Sequence, residues 1–168
     1  VGVVDKADVI DGKNIKEGDV LIGLSSTGPH SNGYSLIRKL VKNFNEVVKI
    51  GGKDKKIGDV LLTPTRIYVK PVMEVLKKFP GSVHGMVHVT GGGCYENLPR
   101  MYQHAAEGKK QTCSMIKKDS WKVPEIFDIL IKKGADPKNM FNTFNMGIGL
   151  VLAVNKKDAE AIMKMFNK

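Results

Sequence analysis

The segment from Gly23 to Leu36 constrains the fold most strongly, because it joins two different hydrophobic periodicities. The apolar run 20–24 before it has the length and composition of a β-strand. Apolar residues in the following segment, 34–44, recur on one face of a helix. The loop between them contains glycine, proline, histidine, asparagine and several hydroxyl residues. Such a loop can direct N–H groups and hydroxyls at a ligand, although the same residue types form ordinary turns.

A second glycine-rich loop follows another predicted strand. Valines alternate with other residues from Val83 to Val89, and Thr90 with three glycines comes next. A short helix is predicted to start near Cys94. Three glycines between a strand and a helix allow the backbone to approach a phosphate closely, but the same composition also makes a tight turn. The loop matches neither the Walker pattern nor the GxGxxG pattern, so composition alone leaves both interpretations open.

The remaining chain alternates between strand and helix patterns. Further strands are predicted at 47–50, 111–116 and 148–154, and a polar loop at 51–56. Further helices are predicted from Pro71, from Pro124 to a stop at Gly134, from Asp136 toward 144, and from Asn155. This alternation by itself favours a parallel α/β sheet.

Length, charge and cysteine content limit the class of protein. The chain has 168 residues, of which 42% are hydrophobic and 26% charged, so we expect residues 1–168 to form a single globular domain. The net charge of +10 comes largely from scattered lysine pairs without interleaved aromatics, which favours a solvated surface over a nucleic-acid interface. The longest apolar run, 148–154, is too short for a membrane span. The two cysteines have neither metal-ligand nor disulfide spacing, which predicts reduced thiols and a cytoplasmic location.

Several segments, in order along almost the whole chain, resemble the aminoimidazole ribonucleotide synthetase family. They are 18–24, 28–36, 64–70, 90–93 with 96–100, Trp121 with Pro124, and 143–149. The resemblance implies an α+β fold, a mixed β-sheet with packed helices in a three-layer α/β/α arrangement. It also implies the C-terminal half of a longer enzyme, without its N-terminal domain and with a clipped last strand.

The resemblance further implies an ATP-dependent cyclo-ligase activity. Family members phosphorylate the formyl amide oxygen of formylglycinamidine ribonucleotide and close the imidazole ring, releasing ADP and phosphate in purine biosynthesis. ATP and Mg²⁺ are expected to be held largely by the N-terminal domain, which also forms the homodimer, so this half alone is expected to be inactive. The alternatives are a related enzyme (formylglycinamidine ribonucleotide synthetase, thiamine monophosphate kinase or selenophosphate synthetase) and a basic nucleic-acid-binding module.

The resemblance selects the candidate site residues. His30 is the candidate catalytic residue, since a neutral imidazole can position substrate or relay a proton; the loop alone favours a histidine bonded to nearby backbone. The candidate substrate-binding residues are Ser26, Gly28, Ser31, Asn32, Gly91, Gly92, Gly93, Glu96 and Asn97. For the polar members the alternative is turn formation or helix capping. No metal ligand is predicted.

Three further residues are not among the candidate site residues. His88 shares its predicted strand face with Met86 and is interpreted as a core or interface histidine. Asn145 and Gly147 stand before the last predicted strand, where a close backbone approach is either structural or part of a cleft. These two alternatives remain open from the sequence.

Overall fold

The computed structural model describes residues 2–103 and 112–166. After a 3-10 turn at Lys6–Asp8, the described elements are β1 (Val20–Ser25), α1 (Tyr34–Leu40), β2 (Val47–Ile50), β3 (Lys53–Lys56), α2 (Ile57–Leu61), α3 (Val69–Lys78), β4 (Val83–His88), α4 (Gly93–Met101), α5 (Glu125–Lys132), α6 (Met140–Thr143), β5 (Ile148–Val154) and α7 (Ala159–Phe166).

The main sheet has the order β1-β5-β4, and β5 pairs antiparallel with both neighbours. All seven residues of β5 are buried, as expected for a central strand covered on both faces. The α+β class is confirmed, with two corrections. The described strands pair entirely antiparallel instead of forming a mixed sheet, and the parallel sheet favoured by strand–helix alternation does not form. The reason is that β1 and β4, which run in the same direction, are separated by the last strand, which enters between them.

Helices cover both faces of this sheet, which gives the predicted α/β/α layers. On one face, Val72 and Val75 of α3 and Ile162 of α7 pack with even-numbered residues of β5. On the other face, Leu98 of α4 and Ile15 pack with Val151 and its neighbours. Each layer therefore buries one of the alternating sets of side chains on the sheet.

A third cluster lies beside the sheet and joins α1, α2, α5 and α6. Its centre contains Phe127 and Phe144, whose ring centroids are 5.6 Å apart. The antiparallel pair β2–β3 belongs to this part of the molecule. The second strand of this pair was predicted as a polar loop, because its sequence, Lys53–Lys56, is entirely exposed and has no apolar alternation.

Other predicted elements also differ from the structure, and the helices predicted from Asp136 and Asn155 begin only at Met140 and Ala159. Helix α1 ends at Leu40, four residues earlier than predicted, because Val41 takes an extended conformation and is buried at 1% exposure. The predicted strand 111–116 is wrong for residues 112–116, which have no regular secondary structure. Met115 there is 91% exposed, so no sheet covers it. Gln111 lies outside the described residues.

The longest helix in the described ranges is α3, with 10 residues. A bilayer requires about 20 apolar residues in a spanning helix. No helix of the described chain has the length and apolar character to cross a membrane.

Candidate functional site

Three loops converge at one edge of the sheet. They follow the C-terminal ends of β1 and β4 and precede the N-terminal end of β5, and these ends coincide because β5 runs in the opposite direction. Backbone hydrogen bonds join them: the Ser26 N–H donates to the Gly147 oxygen and the Val89 N–H to the Gly149 oxygen, both at 2.8 Å. The fold thus brings the two glycine-containing loops of the sequence prediction to the same place.

Asn145 fixes the first loop to the start of β5. Its side chain is 1% exposed, and its Nδ2 donates to the Gly28 oxygen at 2.9 Å. Its Oδ1 accepts from the Gly147 N–H at 2.9 Å and from the Ser26 hydroxyl at 3.0 Å. These hydrogen bonds favour a structural role for Asn145 over a role in lining a cleft. They fix Ser26 through its hydroxyl and Gly28 through its backbone oxygen.

His30 is buried in the first loop at 4% exposure, with a positive φ of 59°. Its Nε2 accepts the backbone N–H of Thr27 at 3.1 Å and that of Arg66 at 3.4 Å. Burial lowers the pKa of His30, and the nearby His88 lowers it further. In the neutral ring an accepting Nε2 requires the proton on Nδ1, and the buried Nδ1 has no partner among the described residues.

Three aromatic rings meet beside this loop. The ring centroids of His30, Tyr68 and His88 lie 6.1–6.2 Å from one another. Tyr68 is buried and donates its hydroxyl to the Ser25 oxygen at 2.9 Å, and burial raises the pKa of this phenol to about 12. His88 is exposed, so its interpretation as a core histidine is wrong, and the interface alternative stays a prediction. Gly149 leaves the space for this cluster, since a Cβ there would lie 2.6 Å from the His30 Cε1.

The second loop starts α4 with free backbone donors. Gly92 and Gly93 have positive φ angles of 90° and 57°, and a Cβ at Gly93 would overlap the Phe141 carbonyl oxygen. The Gly93 N–H donates to the Thr90 oxygen at 3.0 Å. Within the described ranges no acceptor contacts the N–H groups of Gly91, Gly92, Cys94 and Tyr95. The loop therefore presents several donors together at a helix N-terminus, where negative charge is favoured.

Of the two predicted site residues at the start of α4, one is buried and the other is exposed. Asn97 is 2% exposed, and its Nδ2 donates to the Gly91 oxygen at 3.0 Å and the Gly93 oxygen at 2.7 Å. Asn97 therefore fixes the glycine loop from inside. Glu96 is exposed and lies 3.6 Å from the Arg100 guanidinium, to which it forms an i,i+4 ion pair.

Both loops contact the same residue of the third cluster. A Cβ at Gly33 would overlap the Phe144 ring, and a Cβ at Gly93 would lie 2.9 Å from the Phe144 oxygen. The exposed Ser31 has its hydroxyl 3.3 Å from that of Thr65. All predicted site residues thus lie on these two adjacent loops or in the first turn of α4. The Glu96 carboxylate lies between the Arg100 guanidinium and Gly92, where a Cβ would be 2.3 Å from its Oε2.

Residues 16–168 match the family model described as "AIR synthase related protein, C-terminal domain". The chain belongs to this family. A phosphoribosylformylglycinamidine cyclo-ligase of Clostridium novyi (strain NT) is 54% identical over 168 residues, covering 100% of this chain and 47% of the relative. Proteins of the same name from Clostridium botulinum (strain ATCC 19397 / Type A) and Clostridium kluyveri (strain ATCC 8527) are 52% and 50% identical, covering 98% and 100% of this chain and 46% and 47% of theirs. The chain therefore spans about half the length of these curated relatives.

Membership in the AIR synthase related family confirms the resemblance found in the sequence. The segments on which the resemblance rested include both loops that the fold brings together. The family match covers every element from β1 to α7, so the α+β architecture described above is that of this domain.

Two residues of this site, Tyr68 and His88, were not among those predicted from the sequence. Tyr68 lies in a segment that resembles the family, and His88 stands two residues before Thr90, but neither pattern reveals that three rings meet. His84, in contrast, lies near the other end of β4, where its Nδ1 is 2.7 Å from the buried Asp19 carboxylate. That contact belongs to the opposite edge of the sheet.

The residues described here do not form a metal site of the usual kind. In 2–103 and 112–166, no group of three or more histidine, cysteine, aspartate or glutamate side chains is arranged to hold an ion. Divalent cations such as Mg²⁺ are bound mainly by carboxylates and phosphate oxygens. The two loops instead present N–H groups, hydroxyls and imidazoles.

Proposed function

We propose that this chain is the substrate-binding half of a phosphoribosylformylglycinamidine cyclo-ligase. In this reaction ATP drives ring closure of formylglycinamidine ribonucleotide to aminoimidazole ribonucleotide, with release of ADP and phosphate, in purine biosynthesis. The observation that carries the proposal is the meeting of the His30 loop and the free N–H groups of the glycine loop at one edge of the sheet, those of Gly91, Gly92, Cys94 and Tyr95. The names of the relatives support the same assignment.

The glycine loop is the proposed site for the ribose phosphate. Gly91, Gly92, Cys94 and Tyr95 offer N–H donors without an acceptor in the described chain. Oriented N–H groups at a helix N-terminus favour a dianion. Gly93 and Asn97 hold this arrangement through the close backbone packing and the amide bonds described above. Glu96 lies at the edge of this surface and is proposed to contact the polar part of the substrate.

The first loop is the proposed site for the reacting end of the substrate. Ser31 and Asn32 present polar groups at its outer side, whereas Ser26 and Gly28 are held by Asn145. His30 is proposed to contact the substrate from within the loop. An amide oxygen becomes a leaving group only after phosphorylation, so the site must hold the activated intermediate and keep water from it.

ATP and Mg²⁺ are proposed to be held largely by a companion domain, because the described residues offer no carboxylate cluster. Phosphoryl transfer depends on positioning and neutralisation of charge. A homodimeric assembly through that companion domain, a cytoplasmic location and inactivity of this half alone are further parts of the proposal.

Calorimetric titration of the chain with formylglycinamidine ribonucleotide tests the proposed phosphate site. The test variant is Gly91→Asp and its matched control is Gly91→Asn, which has the same size without the charge. Position 91 suits this pair because a Cβ there meets no atom within 4 Å, and its φ is not positive. A carboxylate beside a bound dianion is expected to weaken binding at least tenfold, since two like charges about 4 Å apart repel by roughly 1–4 kcal/mol.

Substrate binding that is lost in Gly91→Asp and kept in Gly91→Asn supports the proposal. Equal affinity of both variants would show that the phosphate lies elsewhere. If the wild-type chain fails to bind the ribonucleotide, this half is not the substrate-binding half. A separate titration with ATP should give much weaker binding than the ribonucleotide.

A further inference from the structure

The buried Nδ1–H of His30 is a polar group that the protein leaves without a partner. The ring is 4% exposed, and among the described residues nothing accepts from Nδ1. An unpaired buried donor costs about 1–3 kcal/mol, so such groups are retained chiefly where a ligand or function uses them. This donor lies in the loop that is proposed to hold the reacting end of the substrate.

The same hydrogen bonds make His30 a poor proton acceptor. A proton can be added to the neutral ring only at Nε2, which already accepts the Thr27 and Arg66 N–H groups. Protonation there would break both contacts and leave two backbone donors facing an N–H. Burial also disfavours the protonated ring, and it lowers the pKa of His30. His30 is therefore suited to remain neutral and donate from Nδ1.

The neighbouring His88 has the opposite environment. It is exposed at the end of β4, and its ring centroid lies 6.2 Å from that of His30. Neither of its ring nitrogens has a hydrogen-bond partner in the described parts of the chain. It also lies close to both proposed substrate contacts, because it is three residues before Gly91 in the chain and its ring is beside that of His30.

We propose that His88 contacts the substrate and accepts its proton during ring closure, while His30 stays neutral and donates its Nδ1–H to a substrate oxygen. This inference rests on the proposed function. The sequence analysis assigned both substrate positioning and proton relay to His30, and the inference divides these two tasks between two histidines. His88 becomes the catalytic residue of the pair, and His30 a residue that orients the substrate and holds the loop.

The step balances with ATP as the phosphoryl donor. The amidine nitrogen forms a bond to the carbon of the phosphorylated formyl group, and the bond from that carbon to the phosphate oxygen breaks. The electron pair of this bond leaves with the phosphate. The proton of the attacking nitrogen passes to the neutral His88 imidazole, which returns it to water.

The groups that face this histidine pair are Tyr68 and Arg66. Tyr68 stays un-ionised, because burial raises its pKa to about 12. The Arg66 guanidinium donates to the Ser25 hydroxyl and, at 3.4 Å, to the Ser25 oxygen.

Nuclear magnetic resonance of the ¹⁵N-histidine chain tests the proposal directly, because ring-nitrogen shifts distinguish the two tautomers. His30 is expected to show the Nδ1–H tautomer between about pH 8 and about pH 5.5. Addition of formylglycinamidine ribonucleotide should shift the ring signals of His88 and the amide signals of Gly91 and Gly92. His84, bonded to Asp19 at the other edge of the sheet, serves as the internal control.

Affinity measurements on two His88 variants test the contact with the substrate. His88→Phe keeps an aromatic ring but offers no acceptor to the amidine N–H, so the affinity for the ribonucleotide should fall roughly tenfold. His88→Gln keeps an acceptor, so its affinity should stay within about threefold of the wild-type value. An affinity unchanged by His88→Phe, or a His30 ring protonated near pH 6, would overturn the proposal.

The failures of the two proposals are distinguishable. If the Gly91 and Gly92 amides respond to the ribonucleotide and His88 does not, the proposed function stands and this inference is wrong. If neither loop responds, the proposed function itself fails, and the inference fails with it.

Discussion

Asn145 offers the sharpest test of how the first loop is held. Its side chain makes three hydrogen bonds to the loop and to the start of β5, two through Oδ1 and one through Nδ2. Asn145→Ala removes all three and leaves the buried Gly147 N–H without its acceptor, whereas the half-buried Ser26 hydroxyl still donates to the Gly28 oxygen at 3.0 Å. At roughly 1 kcal/mol for each bond, and with a small cavity in addition, the free energy of unfolding should fall by about 3–4 kcal/mol.

The isosteric variant Asn145→Asp isolates the single Nδ2 contact. A carboxylate can still accept from the Ser26 hydroxyl and the Gly147 N–H, but it places an oxygen against the Gly28 carbonyl oxygen 2.9 Å away. We expect a loss of about 2–3 kcal/mol above pH 5, where the aspartate is ionised. Protonation at lower pH restores a donor and should recover part of this loss.

Urea and thermal unfolding measure both variants. For a domain of this size each kcal/mol corresponds to about 2–4 °C in Tm, so Asn145→Ala should lower Tm by roughly 6–16 °C. The ¹⁵N spectrum of the folded variants should also show His30 losing its single tautomer, because its loop is released. A loss below about 1 kcal/mol in Asn145→Ala would refute the structural role. An Asn145→Asp variant as stable as the wild type would refute the Nδ2 contact.

Three further predictions concern the glycine loop, the buried histidine and the surface charge. Gly93→Ala should lower the free energy of unfolding by at least about 2 kcal/mol in urea denaturation, because φ is positive and the Cβ overlaps the Phe141 oxygen. Gly91→Ala should be nearly neutral, and equal effects of the two substitutions would contradict the loop geometry. Burial lowers the pKa of His30 from its ordinary 6.5, so the unfolded state binds more protons below that pH. The contribution of His30 to the free energy of unfolding should therefore be fully present above about pH 6.5 and decline as the pH falls toward the lowered pKa. His30→Gln should reduce this decline, and an identical pH dependence of stability in the variant would contradict the prediction. Fluorescence titration with a single-stranded oligonucleotide should show only weak affinity that disappears by about 0.2 M salt, and tight binding that persists there would favour a nucleic-acid-binding module.

The local elements were predictable because short-range pattern determines them. The apolar face of α3, the apolar run of β5 and the positions of the two glycine loops can all be read from neighbouring residues. Elements without such a pattern were missed: β3 is all polar and exposed, and it forms through its pairing with β2. The strand predicted over 111–116 had the right composition, but none of the strands described in the structure pairs with residues 112–116.

The candidate site was predictable in its loops and not in its contacts. The sequence singled out His30 in the first loop and Asn97 in the helix after the second. In the structure the protein's own backbone already occupies Nε2 of His30 and Nδ2 of Asn97. Tyr68 and His88 are 20 residues apart in the chain, and only the packing of α3 against the sheet brings their rings to 6.1 Å.

The sequence by itself determined the class of elements, the two loops and the family. Only the tertiary structure decided that β5 enters between β1 and β4, in the antiparallel direction. An apolar strand shows that both of its faces are buried, but it carries no information on which strands flank it. That choice places the N-terminal end of β5, with Asn145, beside the C-terminal ends of the other two strands, and it thereby assembles the site.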